Sequence, residues 1–123
     1  MKTLPLTVLA ISFGLLATSA QAHFDQSVND QVCDIVKTHD KVKLNQTVKS
    51  IQLSMNTLYN NVKCEGQNIL QFSINQGAEQ VSEYVIKKTS SKYLAKDVEL
   101  YNSFSPELAQ SDIMKSLQAK INS

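Results

Sequence analysis

The sequence contains no arginine; all twelve of its basic residues are lysines. Planar, two-pronged guanidinium clamps for carboxylate or phosphate are therefore excluded. Glycine and proline are almost as scarce, with three and two copies in 123 residues. That scarcity argues against an all-β chain with many tight turns, and against a glycine-rich oxyanion loop. No Gly-x-Ser-x-Gly element occurs. Histidine is limited to His23 and His39, and cysteine to Cys33 and Cys64, with no Cys-x-x-Cys spacing. A metal centre built from two cysteines and two histidines at such separations is not expected. The reading calls for no cofactor.

What the chain does have begins at its start. Lys2 precedes an apolar run from Leu4 to Leu16, and the segment ends Ala20-Gln21-Ala22. A basic start, a short apolar core and small residues at the end of the segment are the three parts of a secretory signal. Residues 1–22 are thus expected to be a cleaved signal peptide, and residues 23–123 a single helical domain, periplasmic or secreted. The apolar run is short for a membrane span, which needs about 20 residues, and no later segment is apolar enough to provide one.

Beyond residue 22, eleven lysines stand against eleven aspartates and glutamates, interspersed along the chain. Nucleic-acid binding usually demands a basic excess on one face, so no nucleic-acid partner is expected. In an exported chain an even pair of cysteines favours a structural disulfide. Closing the loop between Cys33 and Cys64 should contribute about 3–4 kcal/mol, a large share of the roughly 5–15 kcal/mol typical of a domain.

Apolar periodicity places the elements. Val28, Val32, Ile35 and Val36 predict a helix over 27–38, capped by Asp25 or Ser27. Leu44, Val48, Ile51, Met55, Leu58, Tyr59 and Val62 make a stripe over five turns, read as one long helix. Residues 66–88 predict a helical hairpin reversing at Gly77. Residues 93–101 suit helix or strand. Ser105-Pro106-Glu107 is a helix start, followed by Leu108, Ile113, Leu117 and Ile121 on one face. The expected fold is all-α, a small bundle of four to six helices including a helical hairpin, with one disulfide.

Two resemblances follow. The hairpin segment, with Gly66, Leu70 and Gly77 in register, resembles a single ankyrin repeat, although the Thr-Pro-Leu-His tetrapeptide of that repeat is Asn68-Ile69-Leu70-Gln71 here and no second copy is present. Over much of the chain, Cys33, a Lys- and Leu-containing helix reaching Leu58-Tyr59, then Val62-x-Cys64-x-Gly66, Leu70-x-Phe72 and Gly77-Ala78 resemble a family of small exported proteobacterial proteins known only as a domain of unknown function. In that family the motif reads Cys-Asn-Gly, where this chain has Glu65, and the middle helix is rich in arginine. The resemblance implies export and paired cysteines, and no activity.

Three functional readings are open. The first is a non-enzymatic interaction module with a periplasmic or envelope protein as partner. Its anchors would be Tyr93, Tyr101 and Phe104, expected to be exposed on an irregular segment, because aromatic residues dominate binding hot spots. Tyr59 and Tyr84 are assigned to the core with their hydroxyls toward the surface. The second reading is a small copper protein. Cleavage after Ala22 would leave His23 as an N-terminal amine and imidazole chelate, which His39 could complete. The third, an enzyme, would have to draw on Glu79 and Glu83, one helical turn apart. Glu83 also stands four residues before Lys87, so ordinary helix-surface electrostatics accounts for much of that placement.

Overall fold

The computed structural model describes residues 24–123, and among these it is helical throughout, with no strand longer than an isolated bridge. The helices are α1 (Gln26–Lys37), α2 (Lys41–Ile51), α3 (Met55–Asn61), α4 (Ile69–Asn75), α5 (Glu79–Lys88), α6 (Ser91–Lys96), α7 (Val98–Asn102), α8 (Pro106–Ala109) and α9 (Asp112–Ile121). Residues 1–22, expected to be a signal peptide, and His23 lie outside the described residues.

The all-α class holds. The helices are shorter and more numerous than periodicity predicts, because polar residues cap and divide them. The stripe from Leu44 to Val62 is two helices, not one. Gln52 takes a left-handed conformation (φ 59°, ψ 34°), and Ser54 then starts α3 by accepting from the Thr57 N–H at 3.1 Å. A straight helix would carry the whole stripe along one line. The break lets α3 pack against both α4 and α5. The C-terminal stripe divides in the same way. The Ser111 hydroxyl donates to the Leu108 carbonyl at 2.7 Å, closing α8, and accepts from the Met114 N–H at 3.3 Å, opening α9. Asp25, Asp40 and Asn68 cap α1, α2 and α4 through their side-chain oxygens. The segment read as helix or strand is helical, as α6 and α7.

Helix α5 is the hub. It packs against α2, α3, α4 and α9, and its Val81, Tyr84, Val85 and Ile86 are buried. The hairpin of α4 and α5 reverses at Gly77, whose φ of 74° suits glycine. Ser73 and Ser82 bond across it at 2.8 Å, each also donating to or facing a carbonyl of its own helix, so two buried hydroxyls are satisfied.

The disulfide joins Cys33 of α1 to Cys64, just beyond α3. The Asn29 amide brackets the adjoining backbone: its Nδ2 donates to the Lys63 carbonyl at 3.0 Å and its Oδ1 accepts from the Lys63 N–H at 2.8 Å. Asn56 does the same work for Ser90, accepting from its N–H at 2.8 Å and donating to its hydroxyl at 3.1 Å. Residues 64–67 then form a tight turn, with Cys64 and Gln67 exchanging both backbone hydrogen bonds at 2.8 and 2.9 Å. Its two central residues, Glu65 (φ 54°) and Gly66 (φ 80°), are both left-handed. Such a turn prefers Asn-Gly, whereas this chain places Glu65 at the first central position. Glu65→Asn should therefore raise stability by about 0.5–1 kcal/mol. The Lys37–Glu65 pair that it removes is long (3.8 Å) and mostly exposed, and is worth little. A urea midpoint that fails to rise in this variant would remove the turn argument.

Candidate functional site

Tyrosines separated widely in the sequence meet where α3, the start of α4 and the α6–α7 pair converge. Tyr59 comes from α3, Asn68 is the cap of α4, Asp97 links α6 to α7, and Tyr101 lies on α7. The Tyr59 hydroxyl donates to Asp97 Oδ2 at 2.7 Å and is bonded to the Tyr101 hydroxyl. Since a phenol carries one proton and Tyr59 gives its own to Asp97, Tyr101 must donate to Tyr59. Tyr101 in turn accepts from Asn68 Nδ2 at 3.2 Å. The result is a one-directional relay from amide through two phenols to a carboxylate. The amide is itself fixed, because Asn68 Oδ1 caps the Gln71 N–H at 2.7 Å.

Burial governs the chemistry of the two phenols. It holds the Tyr59 phenol far above the usual tyrosine range, with the neighbouring Tyr101 adding to the effect. Burial likewise pushes Tyr101 up to about 12, although the bond donated by Asn68 opposes the shift. Both phenols are therefore neutral at physiological pH. A phenol shifted upward is a poor general base and a poor nucleophile near pH 7. What the relay offers is fixed donors and acceptors, which suits recognition better than proton transfer.

Tyr59, Asn68 and Asp97 of the relay line a surface depression of about 440 Å³, whose walls also include Lys63, Gln71, Tyr93 and Lys96, while Tyr101 is fully buried behind them. Tyr93 is half-buried, and the ammonium groups of Lys92 and Lys96 stand 5.1 and 5.3 Å from its ring centre. These cation–π contacts hold the ring at the rim. The depression therefore combines an aromatic wall, two lysines and a carboxylate bonded to the Tyr59 hydroxyl.

Of the three aromatic residues expected to be exposed, Tyr93 lines the depression. Tyr101 does not fit that expectation: it is fully buried and is the largest such side chain in the described residues. The reason is that the segment is helical, so Tyr101 follows Leu94 by two turns and points inward with it. Phe104 is half-buried and packs edge-on against Tyr101, at 5.9 Å between ring centres. Tyr59 and Tyr84 are core residues, and the Tyr84 hydroxyl donates to Asn45 Oδ1 at 2.9 Å. Glu79 and Glu83 are exposed on α5. His39 is exposed in the link between α1 and α2, and among the described residues no three His, Cys, Asp or Glu side chains are grouped as a metal site. No described helix is long and apolar enough to cross a membrane.

Sequence reasoning missed Asn68 and Asp97. The signal available for Asn68 was its place one residue before an apolar helix. Asp97 carried none, because its value lies in a partner 38 positions away.

A family model described as "Protein of unknown function (DUF3718)" matches residues 32–96, just over half of the chain. The match takes in both cysteines and most of the residues around the depression. No curated protein and no solved structure matches.

Proposed function

The chain belongs to the DUF3718 family, and from that premise we propose that it is an exported, non-enzymatic binding module that engages another protein of the periplasm or envelope through the Tyr93 depression. The observation that carries the reading is the relay itself. Two neutral phenols, a positioned amide and a carboxylate are fixed beneath an aromatic rim. Such a surface is pre-organised for contacts and poorly suited to proton abstraction. The basic, apolar and small-residue segments of residues 1–22 support export, and a disulfide suits an oxidising compartment.

A photo-crosslinking residue at position 93, introduced in the native host, tests this reading. We expect processed protein beginning at His23 in the osmotic-shock fraction, and one specific crosslinked partner. Restoring Tyr93 and substituting Lys96→Ala should weaken the isolated complex about 10-fold or more, as expected for a central contact worth about 1.5–2 kcal/mol. Retention of the chain in the cytoplasm, or a blank crosslink together with turnover in an activity screen, would overturn it.

A further inference from the structure

A second hollow in the described molecule lies elsewhere, where α2, α5 and α9 meet. Its volume is about 950 Å³, and none of its lining residues also lines the Tyr93 depression: its walls come from residues 41–49, 80–88 and 116–123. Lys41 and Lys49 project from α2, Lys87 and Lys88 from α5, and Lys120 from α9. Glu83 is the one acidic side chain in the lining.

This concentration is out of proportion to the chain. The described residues carry eleven lysines and eleven acidic side chains, and so have no net side-chain charge. Five of those lysines and one of those acids surround this hollow, an excess of four positive charges. Helix dipoles account for part of the pattern, since Lys49, Lys87, Lys88 and Lys120 each lie in the last turn of a helix. They do not account for Lys41, which opens α2 at the end where the dipole disfavours a cation. Nor do ion pairs absorb the charge: the salt bridge recorded among the described residues, Lys37–Glu65, is on α1 and the 64–67 turn.

The hollow is long enough for a chain of charges. Lys41 and Lys49 are eight residues apart on one helix, about 12 Å along its axis. Lys120 crosses the gap between helices, its Nζ donating to the Lys87 carbonyl at 3.0 Å. The floor holds Tyr84 and Ile86. With no arginine to grip a carboxylate in its plane, the compact ammonium groups act as point charges, a role in which lysine serves phosphate well.

We propose that this groove binds a linear polyanion whose charges are phosphate groups. The probe is inorganic polyphosphate, added to the mature, oxidised protein. One chain segment should bind per protein, with affinity falling steeply as salt rises. If all five lysines engage, the slope of log K against log salt should be about −3.5, by analogy with single-stranded nucleic acid. The triple variant Lys41→Gln, Lys49→Gln, Lys88→Gln removes three exposed side chains. It should keep its fold by circular dichroism, weaken binding at least about 10-fold, and make the slope shallower by about 2. Glu83→Gln should strengthen binding about 2- to 3-fold, a gain that misfolding could not produce. Lys115→Gln, outside the groove, should change neither value. Polyglutamate binding as tightly as polyphosphate would overturn the phosphate assignment. Binding to anionic phospholipid vesicles that polyphosphate does not displace would assign the charge to a membrane surface instead. Absence of polyphosphate binding at low salt, or an unaltered triple variant, would overturn the site.

Discussion

Reduction of the Cys33–Cys64 bond is expected to lower stability by about 3.5–4 kcal/mol. The bond closes a loop of 31 positions, and chain-entropy arithmetic for a loop of that length gives this figure. The loop contains all of α2 and α3, which are otherwise joined to α1 through packing and the Asn29 bracket. Cys64 is buried while Cys33 is half-buried, so cleavage should begin at the Cys33 sulfur, on the α1 side. For a chain of this size, with a urea slope of about 1–1.5 kcal/mol per molar, the midpoint should drop by about 3 M. Paired urea titrations of oxidised and reduced protein, with free thiols counted by mass spectrometry, read the effect directly. A reduced protein within 1 kcal/mol of the oxidised one would mean that packing, not the crosslink, holds α1 in place. It would also remove the physical reason for tying the fold to an oxidising compartment.

That loop also shows what the sequence makes legible. The cysteine pair, the helical class and the Gly77 reversal are each specified by local chemistry: an even thiol count, a period of three to four, and a residue that tolerates positive φ. The divisions of the long stripes were hidden for the same reason that made the stripes visible. Apolar spacing continues from Ile51 through Met55 as though unbroken. Only the capping geometry of Ser54 and the left-handed Gln52 decide otherwise, and serine or glutamine can equally well sit on a helix surface. The site is less legible still. Tyr59 and Tyr101 are 42 positions apart, and Asn68 and Tyr101 are 33 apart. No local pattern carries that information. Aromatic residues on a stretch of mixed periodicity suggested exposed anchors, but helix formation turned Tyr101 inward and left Tyr93 alone at the rim. The lysine groove was hidden too, because charges interspersed along the chain become clustered only when three helices are brought side by side.

The tyrosine relay makes the fold sensitive to alkali. An unfolded phenol titrates near 10, whereas in the folded protein Tyr101 titrates at about 12 and Tyr59 higher still, mainly because both are buried. A raised value means that the folded state holds its proton more tightly than the unfolded state does. The relay's contribution is therefore complete below pH 10 and is lost as pH rises toward 12. Across that window, each phenol should lower stability by about 1.4 kcal/mol per pH unit. Tyr101→Phe isolates this effect, because it removes one phenol and leaves every other side chain in place. At neutral pH it should cost about 1–2 kcal/mol, because Asn68 Nδ2 and Tyr59 lose a partner in a buried place. Above pH 10 its stability should fall less steeply than that of the parent, by the slope of one phenol. Tyr101→Ala also empties the volume of the largest fully buried side chain and should cost about 3–5 kcal/mol. Urea titrations at pH 8, 10 and 11, with phenolate absorbance followed in parallel, give the three numbers. Equal alkaline slopes for the parent and Tyr101→Phe would show that Tyr101 titrates normally, and the buried relay would lose its electrostatic basis.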